Sequence, residues 1–419
     1  MIAYYFPPIG GAGALRPLKL AKFLPEFGWE PVILTVKNSE WYYACDPGLL
    51  DELPPRTRIH RSVMVSSAWM YRLLNPLRVP FLEKLIREFL FQPDNMVGWI
   101  PSAIHKAMTI IRHVGIDAIY STSAPLSCHL IARAVQRKTK LPWVADFRDE
   151  WFENPHFNYP TAIHRSLNYR LEKAIVRSAD EIIAPAPFIC DLLSKHQPRA
   201  DKYHTIYMGY DPDEFRAAKR NRLEKNQGYF LTVYTGLFYE TFRPNRVLEA
   251  IEFLINEGRI PPEDIRVRFV GANRPSDTGF RNGYPKCEFT GFVSHRKAIA
   301  QINAANTLLL LLSKNRGEHV VPSKTFEYMA SGKPILAVVP EAGTVADIIR
   351  RTGSGLVVDF EDYDGIRAAY LKMYRAWKYD QPFLRPYGGE ISRFDQRNVA
   401  GEFAEVLHKA IATKSAAPC

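Results

Sequence analysis

The stretch VPSKTFEYMASGKPILAVVP, residues 321–340, contains a sharply bounded helix followed at once by a buried strand. Ser323 is the expected N-cap, Gly332 the expected C′ residue, and Pro334 lies just beyond, so the pattern predicts a two-turn helix over residues 324–331 headed by Pro322. Its amino end offers unsatisfied N–H groups, the Ser323 hydroxyl and the Lys324 ammonium to an anion. Glu327 follows one turn later on the Ser323 face, where a carboxylate suits the two vicinal hydroxyls of a ribose. The apolar runs 307–312 and 335–339 read as buried parallel strands. They put the helix at the carboxyl end of a sheet, where open α/β folds bind ligands. A capped helix with solvated Glu327 and Lys324 is the structural alternative, and it leaves the adjoining strands unexplained. The stretch therefore reads as phosphate at the helix end and sugar one turn further in.

Outward from this stretch the same alternation fills the chain. Strand-like runs at 229–234 and 266–270 interleave with helical runs at 247–256, 298–303 and 345–350. Upstream, runs at 2–6, 31–36, 118–121, 143–147 and 181–184 alternate with helical stretches at 16–27, 102–114, 127–138 and 165–178. Two doubly wound α/β domains are the expectation. The polar, basic segment 215–228, FRAAKRNRLEKNQG, shows neither helix nor strand alternation and reads as the interdomain connection. The domains are drawn as 1–205 and 206–385, with 386–419 a helical segment crossing back to the first; the stripe Val399, Phe403, Val406, Leu407 and Ile411 marks that helix.

With 419 residues, 47% hydrophobic and 24% charged, the chain has the composition of a globular protein of two domains, not of a disordered chain or a rod. Its five cysteines are scattered without a CxxC pair, which reads as reduced thiols and no zinc site. No run approaches the roughly 20 apolar residues of a spanning helix. The opening MIAYYFPP lacks the features of a secretory signal, so a cytoplasmic location is expected. The net charge of +11 suits an anionic partner: nucleic acid, a membrane face or a phosphorylated small molecule. Dispersed basic residues without a recognised module argue against nucleic acid. Residues 67–91 interleave Trp69, Met70, Leu73, Phe81 and Phe89 with Arg72, Arg78, Lys84 and Arg87, either a helical pair lying on an anionic membrane surface or one packed on its own domain.

A second phosphate-binding candidate is FPPIGGAGALRP, residues 6–17, in which Gly10, Gly11 and Gly13 join the first strand to the first helix. The spacing is neither GxGxxG nor a Walker loop, so it serves either close approach to a ligand or only a tight turn.

These passages, together with TGLFYETFRPNRVLEAI (235–251), FVGANR (269–274), FTGFVSHRKAIAQINAANTLLLL (289–311), PWVADFRDEW (142–151) and TIYMGYDPDEF (205–215), resemble the retaining glycosyltransferases of family four. The resemblance runs over nearly the whole chain in the order that family shows. It implies the glycosyltransferase-B fold, two Rossmann-like domains facing a cleft, with a nucleotide-diphosphate sugar held by the second domain and a saccharide or lipid-linked acceptor by the first. Gly10 and Gly11 would lie beneath the donor diphosphate. Arg243 and Lys324 would neutralise the departing diphosphate, Pro322 and Ser323 at the helix head would belong to the donor site, and Glu327 would hold the ribose.

The sequence departs from the family pattern in three places. Eight positions before Glu327, where the family has its first glutamate, stands His319, with Glu318 one place out of register; either one takes that role. The interdomain asparagine is Met208. The amino-terminal domain's histidine is missing from the strand end STSAP, residues 121–125, which leaves Ser123, Asp146, Arg148 and Asp149 as acceptor-side candidates. Asp146 and Arg148 are equally readable as a buried structural network. With no DxD pair at the donor site, no metal and no other cofactor are expected. Cations at the leaving group supply the main stabilisation as charge builds on the diphosphate. Retention without an evident nucleophile implies front-face attack assisted by the leaving phosphate.

The function expected is therefore metal-independent hexosyl transfer to a hydroxyl acceptor in cell-envelope polysaccharide or glycolipid synthesis, in the cytoplasm or peripherally on the inner membrane face. The alternatives are an epimerase or hydrolase of nucleotide sugars on the same fold, and a non-catalytic peripheral membrane adaptor with a vestigial nucleotide site.

Overall fold

The computed structural model describes residues 1–37, 44–65, 89, 91–154, 157, 159–220, 228–238, 244–272, 287–312, 318–384 and 386–416. Arg243 and most of the basic, aromatic stretch 67–91 lie outside these residues. The chain divides into two compact units, one of Met1–Tyr207 with Ala400–Cys419, the other of Met208–Val399.

The first unit is built in the order α1 (Ala12–Phe23), β1 (Val32–Lys37), β2 (Arg58–Val63), α2 (Ile100–Val114), β3 (Ile119–Ser123), α3 (Ser127–Thr139), β4 (Trp143–Phe147), α4 (Ala162–Ser178), β5 (Glu181–Ala184), α5 (Pro187–Ser194) and β6 (Tyr203–Thr205). β1 pairs with β2, and β3 to β6 pair in sequence, all in parallel. The strand expected over residues 2–6 is reduced to Ile2, which bridges Leu34 on one side and Ser121 on the other and so joins both sets. Pro7 and Pro8 carry no N–H to extend that ladder. The Thr35 hydroxyl donates instead to the Tyr4 carbonyl at 2.9 Å. Trp99, Trp143 and Trp151 are the largest side chains of this core.

The second unit runs α6 (Pro212–Arg220), β7 (Phe230–Thr235), α7 (Asn245–Asn256), β8 (Ile265–Val270), β9 (Cys287–Phe289), α8 (His295–Ala304), β10 (Thr307–Leu311), α9 (Lys324–Ser331), β11 (Ile335–Val338), α10 (Thr344–Thr352), β12 (Gly355–Val358), α11 (Tyr363–Lys378), α12 (Gly388–Ser392) and the start of α13 (Gln396–Ala416). Its six parallel strands are ordered β12-β11-β10-β7-β8-β9, a doubly wound sheet whose order reverses between β7 and β10. Every residue of β10 is buried, as an all-parallel sheet covered on both faces requires.

Two readings of the sequence are corrected here. Part of the segment 215–228 is helical, because Pro212 starts α6, the Asp211 carboxylate accepts from the Asp213 N–H at 2.9 Å, and Asp213 and Glu214 suit a helix amino end. That segment also lies within the second unit, and the chain passes between units at Tyr207–Met208. The α13 stripe packs on the first unit, where Phe403 is fully buried.

Candidate active site

In the second unit α9 forms over the span its sequence predicts, and its amino end lies beside the carboxyl ends of β7 and β10, where the sheet order reverses. Ser323 does not cap it as expected. It has helical backbone angles and its side chain makes no cap bond, so the first turn is closed by backbone bonds from Thr325 to Pro322 and from Phe326 to Ser323. The carboxyl end follows expectation: Gly332 takes φ 70°, a left-handed value that glycine adopts without strain. Tyr328 ties the helix to the sheet, its hydroxyl accepting from the Thr235 N–H at 2.8 Å and lying 3.1 Å from the Thr235 hydroxyl.

Lys324, the first residue of α9, is the cation this arrangement presents. Its ammonium lies 3.9 Å from the centroid of the Tyr234 ring, and among the described residues it has no hydrogen-bond or ion-pair partner. Gly236 closes over it with φ 109°, and a Cβ there would stand 3.0 Å from the Lys324 nitrogen. Burial lowers the amine to about 7 against the opposing pull of Glu327. An amine in that state gains charge readily when an anion arrives. Glu327 is partly buried on the next turn. Glu318 and His319 both have exposed side chains in the turn before α9. The Glu318 carbonyl accepts from the Thr344 N–H at 3.0 Å and its hydroxyl at 3.1 Å, which fixes that turn to the head of α10.

In the first unit the glycine loop follows Ile2, and the β3 end follows on the other side of it. Gly11 precedes α1 with φ 85°, and the Gly10 N–H donates to the Ala44 carbonyl at 3.1 Å. Arg148 joins loop to strand end by donating to the carbonyls of Gly13 at 2.6 Å, Ala124 at 2.9 Å and Ser123. Ser123 is 1% exposed, and among the described residues its hydroxyl has no hydrogen-bond partner. Arg148 thus ties the loop that carries Gly10 and Gly11, through Gly13, to the carboxyl end of β3 at Ser123.

Asp146 is diverted from that group. It is fully buried, and its oxygens accept from Arg16 at 2.9 Å twice, from Tyr120 at 2.6 Å and from Thr122 at 2.9 Å. The partner in this Asp–Arg network is Arg16, not Arg148. Asp149 is exposed. The cradle around Lys324 was not read from the sequence, although an aromatic residue and a glycine at the end of β7 (YTG, 234–236) are the signal that could have shown it.

Residues 11–209 match the family described as Glycosyl transferase 4-like domain, and residues 230–376 the family described as Glycosyl transferases group 1. No curated protein matches the chain in sequence. Among solved structures, sucrose-phosphate synthase from Thermosynechococcus elongatus is similar over 98% of each chain, at 16% identity and a TM-score of 0.65. HepE of Anabaena, solved with UDP and glucose, matches over 97% of this chain and 99% of its own, at 15% identity and a TM-score of 0.62. A putative UDP-N-acetylglucosamine 2-epimerase from Listeria monocytogenes matches over 98% and 96%, at 8% identity and a TM-score of 0.58.

Proposed function

The chain belongs to the family-four-like glycosyltransferases of the GT-B fold, and from that premise we propose that it transfers a hexosyl group, with retention, from a nucleoside-diphosphate sugar to a hydroxyl acceptor. The observation that carries this reading is the Lys324 cation, which among the described residues has no ion-pair partner, at the head of α9 with Glu327 one turn on. In the proposed step the bond from the anomeric carbon to the phosphate oxygen breaks and its electron pair leaves with the diphosphate. The acceptor oxygen bonds to the same face of the carbon and its proton passes to the departing phosphate. Negative charge builds on the diphosphate as the bond lengthens, so a cation placed there stabilises the transition state more than the bound donor. Lys324 supplies that charge, and Arg243 the second cation. With charge balance met in this way the proposed transfer runs without a metal or other cofactor. Glu327 takes the ribose hydroxyls, Ser323, with Pro322 before it at the helix head, the phosphate, and Glu318 or His319 the donor sugar.

On the acceptor side we assign Gly10, Gly11, Ser123 and Arg148, with a saccharide or lipid-linked hydroxyl as the acceptor in cell-envelope assembly. No helix of the described residues is long and apolar enough to cross a membrane. A peripheral site on an anionic membrane face is supported by α4, which exposes Ile163 and Leu167 beside Arg165 and Arg170.

HepE, which has the same fold, was solved with UDP-glucose, which makes that the first donor to test. Glu327→Ala should weaken binding of the accepted nucleotide-diphosphate sugar about tenfold in calorimetry, with thermal unfolding unchanged, because it removes a charge-assisted bond to the ribose. Unchanged affinity would remove Glu327 from the site. Because the fold is shared with a putative epimerase, the reaction products with and without acceptor must be compared. A glycosylated acceptor that forms only when both substrates are present identifies transfer.

A further inference from the structure

Tyr234, near the carboxyl end of β7, is 2% exposed. Its hydroxyl donates to the Leu237 carbonyl at 3.0 Å. Phe238 stacks on it with centroids 5.3 Å apart and planes at 19°, and Phe269 lies 6.2 Å from it. The ring therefore cannot turn freely. Its face meets the Lys324 nitrogen at 3.9 Å, while the Gly236 backbone stands over that nitrogen. Among the described residues, the groups that face the amine are this ring and the glycine from β7 and its turn, with the Glu327 carboxylate of its own helix as the charged group acting on it.

We propose that Tyr234 is a positioning residue for sugar transfer: its ring face holds the Lys324 ammonium at the head of α9, beneath Gly236, where it meets the departing diphosphate. The inference rests on the role given to Lys324 above. A ring face attracts a cation through its quadrupole and accepts no conventional hydrogen bond from it. The ammonium donors turned away from the ring stay available to phosphate oxygens. A carboxylate in the same place would order the lysine equally well, but would form an ion pair that the diphosphate must break. The aromatic face thus orders the cation without tying it up in an ion pair. It also opposes burial, which on its own discharges the amine.

The test is an NMR titration of the full chain carrying 15N-labelled lysine, with the Lys324 signal identified by its loss in Lys324→Met. Tyr234 is replaced by phenylalanine and, by amber suppression, by a tetrafluorinated phenylalanine that keeps the ring's shape and weakens its negative face. Tyr234→Phe should titrate with the wild type. The fluorinated ring should lower the Lys324 midpoint by roughly 0.3 to 1.5 pH units, the range expected of a cation–ring contact from surface to buried sites. Equal midpoints for the two rings would overturn the proposal. Inorganic pyrophosphate is then added to the wild type and should raise the midpoint. A midpoint indifferent to pyrophosphate takes Lys324 out of the diphosphate's path and sinks the functional reading, whatever the fluorinated ring does.

Discussion

Arg16 shows what one buried residue commits a fold to. Its guanidinium donates to Asp146 and to the carbonyls of Ile206 at 3.0 Å and Tyr207 at 3.1 Å, and it lies 4.7 Å from the Phe403 ring centroid. Burial raises the Asp146 carboxyl, but the Arg16 charge and hydrogen bonds outweigh it and hold the group below its usual value. Removing one partner leaves the other charged and buried. Arg16→Met should therefore cost the first unit about 3–5 kcal/mol in urea unfolding. Adding Asp146→Asn should recover part of that loss, since Tyr120 and Thr122 still have an oxygen to meet. A single-mutant loss near zero would show that the pair adds nothing to stability. The sequence announced DFRD as polar and chemically suggestive. It could not say that the aspartate's partner stands 130 positions earlier, because ion pairing is decided in space.

At the scale of the element, α9 separates what its two ends do. The carboxyl end is a matter of backbone: Gly332 is left-handed and a Cβ there would meet nothing within 4 Å. Gly332→Ala should cost about 1 kcal/mol from strain alone, lowering the unfolding temperature of the second unit by a few degrees while leaving donor affinity in calorimetry unchanged. A large loss of affinity would mean that the far end of the helix also shapes the site. The amino end is a matter of electrostatics, and there the expected Ser323 cap is missing. Helix existence and length were legible because glycine and proline punctuate locally. The cap was not, because whether a serine turns back onto its helix depends on the backbone angles at that residue. The segment after Phe215 was misread for a related reason. Its charged sequence hides a helix that begins upstream, at a proline behind an aspartate.

At the scale of the whole molecule, the chain's two ends belong to one unit. α13 places Phe403 with its centroid 6.0 Å from Tyr120, His408 5.2 Å from Trp29, and Lys409 on the buried Glu181 at 3.1 Å. Truncation after residue 399 should therefore destabilise the amino-terminal unit and leave the unit nearest in sequence intact. Loss of the Phe403 ring alone is of order 3–5 kcal/mol. Limited proteolysis with fragment mass measurement reads this directly, and selective loss of the second unit would contradict the packing.

The sequence by itself determined that this chain is two parallel α/β units, with a short, sharply bounded helix after a buried, leucine-rich strand. Periodicity, glycine, proline and helix-end chemistry are local properties that neighbours in the chain impose on one another. It also carried Lys324 and Glu327, whose spacing on one helix needs no distant partner. Only the tertiary structure decided that Arg16 neutralises Asp146, that Arg148 binds the carbonyls of the glycine loop and the β3 end, and that Tyr234 and Gly236 enclose Lys324. Those contacts join residues far apart in the chain, and the pairing of strands and the burial of charge select them after the local elements have formed.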